Sequence, residues 1–199
     1  MLLLVRISLT ILLLFDHSPA PYQIGDEVAD FALKNVDGKT VSLSNFPSAK
    51  GFIVVFTSNR CPVAKAYEDR LIALHNEYAV KGYPLILINS NDPLAYADES
   101  FTKMKQLADN KRFVFPYLQD TNGKVASAFG ATRNPEVFML NNKEGRMILR
   151  YAGQLDDNAH DASGVTRNYV REAIESLKLN EPIKTPVTKP IGCGIKWKG

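Results

Sequence analysis

The chain is poor in the residues that build metal centres: its 199 residues include two cysteines, three histidines and one tryptophan. Two thiols alone make a poor metal site, so no metal is expected. No GxxxxGK[ST] loop and no GxGxxG turn is present, which leaves nothing to cradle a nucleotide phosphate. The net charge is only +3 and no long basic run exists, so nucleic acid is not an expected partner. No segment repeats at a period of about 20 to 50 residues, which argues against a solenoid. What remains is ordinary globular material, 45% hydrophobic and 23% charged, long enough for one domain with a sizeable core.

The opening "MLLLVRISLTILLLFDHSPA" has Arg6 as its only charge before Asp16, an apolar run from Ile7 to Phe15, and small residues at Ser18 and Ala20. The run is shorter than the about 20 residues that span a bilayer. The pattern reads as a secretory signal peptide over residues 1–20. It makes a periplasmic or extracellular location the expectation, with an uncleaved membrane tether as the alternative. Export would let cysteines stay oxidised.

"FALKNVDGKTVSLSNF" alternates around Asp37-Gly38 and predicts a β-hairpin with a two-residue turn. Phe52 to Phe56 is a continuous apolar run, as in a strand covered on both faces. A helix from about Pro62 to Val80 puts Val63, Tyr67, Leu71, Leu74 and Tyr78 on one stripe and stops at Gly82. "PLILIN" is a second buried strand, residues 97–109 a helix, "VFPYLQ" a short strand, and "KVASAFG" a short helix closed by Gly130. "EVFML" and "RMILRYAG" form a second hairpin, and Val165 to Leu179 an amphipathic helix. A βαβ core followed by an antiparallel pair predicts one α/β domain over residues 21–179, with a mixed central sheet and helices on both faces. Residues 180–199 carry Pro182, Pro186 and Pro190 among lysines. They are expected to form an extended, flexible tail that holds Cys193.

Cys61 sits where a buried strand turns into a helix. Pro62 suits the first helical position because it has no N–H to leave unsatisfied. Cys61 is then the N-cap, its sulfur near the free amides and the positive end of the helix dipole. Arg60 precedes it and Lys65 follows about one turn on. All three features favour thiolate. A free cysteine of pKa about 8.5 is roughly 3% ionised at pH 7, whereas one at about 6.5 is roughly 75% ionised. Chemistry beyond the carboxyl end of a strand is also the habit of open α/β sheets.

Phe56, four residues, Cys61 and a helix together resemble the active-site segment of the thioredoxin fold. "FGATRNPEVFML" resembles the segment bearing that family's cis-proline, with Pro135 in the role. "GDEVADFALKNVDGKTVSL" resembles the start of peroxiredoxins and of the alkyl hydroperoxide reductase/thiol-specific antioxidant group. With the closing "GCGIKWK", the chain is similar to peroxiredoxin-like, thioredoxin-domain (redoxin) proteins over about residues 22–199. The resemblance implies a thioredoxin-like fold and a thiol-based oxidoreductase in which Cys61 attacks a peroxide or a disulfide. It implies no metal or organic cofactor, and an external thiol reductant such as a thioredoxin-type protein. It also implies that Pro62, Asn134 and Pro135 contact an extended substrate.

Three departures bear on the reaction. Where thioredoxins have CxxC, this chain has "CPVA", so Ala64 replaces the second thiol and dithiol exchange within the motif is impossible. Where peroxiredoxins place a threonine three residues before the cysteine, this chain has Ser58, with Thr57 one residue off. A serine hydroxyl can donate the same hydrogen bond. For the arginine that peroxiredoxins hold near the sulfur, Arg133 is the candidate and Arg60 the second choice.

Cys193 lies between two glycines. From Asn180 an extended chain at about 3.1 Å per residue reaches about 40 Å, against a radius of gyration of about 16 Å for a domain of this size. Cys193 therefore either resolves an oxidised Cys61, or forms a permanent disulfide with it, or is an independent thiol that pairs between chains. His17 falls in the leader, His75 is expected at the surface, and Glu68 and Asp69 are expected exposed. "GQLDDNAHD", with Asp156, Asp157 and His160, reads as a solvated acidic loop rather than a cation site. Tyr67 and Trp197 are expected to pack. Two rival functions remain: a disulfide reductase for partner proteins, and a non-catalytic binding module that uses the groove at Cys61 and Pro135.

Overall fold

The computed structural model describes residues 20–198. The leader expected over residues 1–20 lies, apart from Ala20, outside the described residues. Phe52 to Phe56 have no exposed surface because β3 (Gly51–Thr57) is interior to the sheet. It runs parallel to β4 (Leu85–Asn89) and antiparallel to β7 (Glu136–Lys143). The full order is β2 (Thr40–Ser42), β1 (Ala32–Asn35), β5 (Tyr117–Gln119), β4, β3, β7, β8 (Arg146–Gly153). β4 and β5 are parallel, whereas the hairpins β1–β2 and β7–β8 are antiparallel. The sheet is thus mixed, as expected from a βαβ unit followed by a hairpin.

Side chains of β3 alternate between two cores. Ile53 and Val55 face α1 (Pro62–Tyr78), α2 (Phe101–Lys111) and α4 (Tyr169–Lys178) through Leu71, Leu74, Met104 and Ile174. Phe52, Val54 and Phe56 face the other side, where α3 (Lys124–Phe129) contributes Ala126 and Phe129. Helices therefore cover both faces. That double cover explains why "FIVVF" and "LILI" read as continuous rather than alternating apolar runs.

Three local expectations change. The first hairpin turn is longer than two residues: Lys34 pairs with Thr40 and Asn35 N–H donates to Lys39 O, leaving Val36–Gly38 as the turn, with Gly38 at φ 87°. α4 starts at Tyr169 rather than Val165, because Asp157 accepts from Thr166 N–H (2.9 Å) and Asp157 N–H donates to Arg167 O (3.1 Å), holding that stretch out of helix. The tail is not free. On the edge strand β8, Ala152 N–H donates to Pro186 O (3.0 Å) and Ala152 O accepts from Thr188 N–H (3.0 Å), while Thr188 Oγ1 accepts from Gln154 N–H (2.8 Å). Gly153 makes this possible, since a Cβ there would sit 2.2 Å from Thr188 Oγ1. Further on, β9 (Cys193–Gly194) pairs antiparallel with β6 (Arg133–Asn134).

Candidate active site

β3 ends at Thr57, and Ser58-Asn59-Arg60 leads into α1 with Cys61 at the N-cap and Pro62 at its first position. Ser58 Oγ accepts from the amides of Arg60 and Cys61, both at 3.1 Å. Those two bonds fill its acceptor sites, so its single proton goes to Glu99 Oε1 at 2.5 Å. Glu99, 2% exposed, was not anticipated from sequence. Its other oxygen accepts from Asn59 N–H (3.0 Å) and Asn89 Nδ2 (2.8 Å). Tyr117 donates to Asn59 Oδ1 (2.7 Å), and burial pushes its phenol far above the ordinary range. Three donors converging on one buried carboxylate clamp the loop that carries Cys61.

The Asn134–Pro135 peptide is cis. Glu136, next in sequence, accepts from Thr132 N–H (2.8 Å) and Arg133 N–H (3.0 Å), while burial pushes its carboxyl up. The side chain so ties down the backbone at the start of β6. On that strand Gly194 pairs with Arg133 and Cys193 with Asn134. Cys61 and Cys193 are joined as a disulfide across a Cα separation of 5.9 Å. Cys61 Sγ also lies 3.1 Å from Asn134 O. A disulfide sulfur has no proton, so this is a contact now and a hydrogen bond only in the reduced thiol.

Asn91, also unforeseen, ties the parts together. It donates to Thr57 O (3.2 Å), and its Oδ1 accepts from Asn134 Nδ2 (3.2 Å) and from Lys196 N–H (3.0 Å). The polar run "NSND" at the carboxyl end of a buried strand is the signal that marks it. A cleft of about 510 Å³ borders the disulfide, lined in part by Arg60, Pro62, Tyr96 and Lys196.

The other candidates fall as follows. Thr57 is buried, with its carbonyl held by Asn91. Arg133 pairs through its backbone, and its exposed side chain is directed over Gly194, with Nη1 3.9 Å from where a Cβ would sit. Arg60 lies on the Tyr96 ring at 4.2 Å. Glu68 is 9% exposed, not free in solvent, because Lys111 reaches over it (3.0 Å); Asp69 is exposed. His75 is half-buried, its Nδ1 accepting from Leu85 N–H (3.3 Å), and burial holds its pKa down. Asp156 is 1% exposed rather than solvated: it takes Tyr67 OH and Arg70 Nη1, each at 2.8 Å. Asp157 caps the loop before α4 through Thr166, and His160 stays exposed. Trp197 is 47% exposed, with one edge packed at Gly123. Among the described residues no three His, Cys, Asp or Glu side chains cluster as a metal site.

Comparison with known proteins follows the same lines. A solved structure of an uncharacterized conserved protein from Geobacillus kaustophilus is 34% identical and superposes with a TM-score of 0.80, covering 88% of this chain and 93% of that one. A hypothetical protein from Sinorhizobium meliloti 1021 is 32% identical with a TM-score of 0.81, covering 89% and 96%. A curated relative, the thiol-disulfide oxidoreductase ResA of Halalkalibacterium halodurans, is 23% identical over 77% of each chain. The model of the AhpC/TSA family matches residues 24–152, from the segment before β1 to the last strand of the main sheet. The chain belongs to the AhpC/TSA family and is a thiol-dependent oxidoreductase with a thioredoxin-like fold.

Proposed function

We propose that the chain carries out thiol–disulfide exchange with Cys61 and Cys193 as its redox couple. The observation that carries this reading is the docking of Cys193 beside Asn134, which supplies at the tail the second thiol that Ala64 denies to the helix. In the reduced chain the Cys61 thiolate, favoured by the helix N-terminus, attacks a substrate disulfide and expels one substrate thiolate. Cys193 then attacks the Cys61 sulfur, expels the second substrate thiol and closes the internal disulfide. Two electrons pass to the substrate. An external dithiol of the thioredoxin type restores the reduced chain. Its thiolate meets Cys193 first, because Cys61 is 2% exposed and Cys193 is only partly buried. Cys61 is then the leaving thiolate, and a low-pKa thiol leaves faster.

The peroxide reading has less support from the geometry. Ser58, the residue in the position of the peroxide-orienting hydroxyl, spends its one proton on Glu99, and Arg133 is directed over Gly194. The discriminating experiment mixes reduced protein in stopped flow with hydrogen peroxide and, separately, with a peptide disulfide. The expected result is accelerated disulfide reduction and peroxide consumption no faster than that of a free thiol. Peroxide consumption well above that level, with no disulfide exchange, overturns the proposal. Disulfide turnover that survives in Cys61→Ser does so too.

An exported location fits this chemistry and rests on the composition of residues 1–20. No helix among the described residues is long and apolar enough to cross a membrane. Intact mass of protein from its native host should begin near Pro21, and a soluble cytoplasmic form that retains the leader refutes export.

A further inference from the structure

The tail lies in the groove as a short added strand. Its register on β6 is set by the Arg133–Gly194 and Asn134–Cys193 pairs. Ile195 N–H donates to Thr132 O (3.1 Å), Lys196 N–H to Asn91 Oδ1 (3.0 Å), and Asp92 N–H to Lys196 O (2.7 Å). These contacts are mostly to backbone, and backbone pairing of this kind holds any extended peptide; selectivity comes from the positions that have no room or a pocket.

One position has no room. A Cβ on Gly192 would stand 2.1 Å from Asn134 O, 2.7 Å from Asn134 C and 3.1 Å from Pro135 N. All three neighbours are backbone atoms of the cis-proline loop, which Glu136 holds in place. Gly192 is also at φ 154°, a region that side-chain-bearing residues seldom adopt. By contrast, a Cβ on Gly194 would meet nothing closer than Arg133 Nη1 at 3.9 Å. Ile195 is 6% exposed and packs into the core face that holds Phe56 and Phe138.

We infer that the groove beside Pro135 selects a cysteine preceded by glycine and followed, two residues on, by an apolar side chain. The substrate class is then an extended polypeptide disulfide with the pattern Gly-Cys-x-apolar, of which the chain's own Gly192-Cys193-Gly194-Ile195 is the resident example. The inference rests on the thiol–disulfide reading and narrows it. In the reduced chain the tail competes with such a substrate for the same groove. Cys193 then attacks the Cys61–substrate disulfide and expels the substrate thiolate as the internal disulfide closes.

Two measurements test this. In the first, the equilibrium between the Cys61–Cys193 disulfide and glutathione is measured for the full chain and for Gly192→Ala. Displacing β9 separates the two sulfurs, so the disulfide should form at least a hundredfold less favourably in the variant, with circular dichroism unchanged. A constant within threefold of the parent overturns the inference. The second uses full-length, reduced Cys193→Ser and two hexapeptides, Gly-Cys-Gly-Ile-Lys-Trp and Ala-Cys-Gly-Ile-Lys-Trp, each carrying thionitrobenzoate on its cysteine. Cys61 thiolate bonds to the peptide sulfur and the coloured thionitrobenzoate leaves as its thiolate. Partial occupancy of the groove by the tail scales both rates alike, so their ratio reports the groove. The glycine peptide should react at least tenfold faster. Equal rates, both above that of free cysteine, refute the selectivity and leave thiol–disulfide exchange standing. Rates no faster than free cysteine for both peptides refute the exchange reading itself, and the selectivity with it.

Discussion

Glu99→Gln tests whether the Cys61 loop is held by a carboxylate. The glutamine is nearly isosteric, so no cavity forms and the effect isolates hydrogen bonding. The side chain is 2% exposed, and water cannot substitute for a lost partner. If the new amide NH₂ faces Ser58, it meets an oxygen that already accepts two amides, and the Ser58 hydroxyl loses its acceptor. If it faces the other way, it opposes Asn59 N–H and Asn89 Nδ2, two donors. The first orientation is less unfavourable. It removes one charge-assisted bond, worth about 1.5–3 kcal/mol, and weakens two others. The expected loss is therefore about 3 kcal/mol. Urea unfolding of the oxidised protein at pH 7 should show a lower midpoint with an unchanged slope. Glu175→Gln is the control: that carboxylate is 48% exposed, its pair with Lys178 lies at the surface, and its removal should cost less than about 1 kcal/mol. A Glu99→Gln loss no larger than the control's would refute the clamp.

In the reduced chain the Cys61 alkylation rate should titrate with an inflection below about 8.5, the ordinary thiol value; an inflection above it contradicts the N-cap assignment. The Cys61–Cys193 bond closes a loop of 132 positions. Chain-entropy arithmetic for that length gives about 5 kcal/mol, so Cys193→Ser should lower the urea-unfolding free energy of the air-oxidised protein by that order, and a loss under about 1 kcal/mol refutes the loop-closure account. Burial holds the His75 pKa below 6.5 in the folded protein, so the unfolded chain takes up that proton first as pH falls. His75 should therefore cost stability progressively below about pH 6.5 and nothing above it; His75→Gln should flatten this part of the pH–stability profile, and an unchanged slope counts against the assignment.

Much of this architecture was legible because it is written in local pattern. The buried runs of β3 and β4, the stripe on α1, the closing glycine of α3 and the β7–β8 hairpin each depend on residues within a few positions of one another. Cys61 at a helix N-cap follows from one neighbour, Pro62, whose missing N–H suits the first turn. Other features depend on pairings that no local pattern encodes. Glu99 reaches Ser58 across 41 positions and Asp156 reaches Tyr67 across 89. In the sequence both are ordinary acidic residues, and only the packed sheet removes their water and supplies their partners. The tail shows the division most clearly. Its prolines and glycines predict an extended, flexible strand, and extended it is. Its attachment depends on an edge at Arg133–Asn134 that Glu136 holds, and on an oxygen of Asn134 that leaves space for glycine alone at position 192. By itself the sequence determined most of the elements, a mixed sheet covered by helices and the place of Cys61 at a helix N-cap, since local sterics and hydrophobic periodicity are carried by neighbouring residues. Only the tertiary structure decided that Cys193 meets Cys61 and which carboxylate clamps the loop, because those contacts form between segments that the chain keeps far apart until the sheet is built.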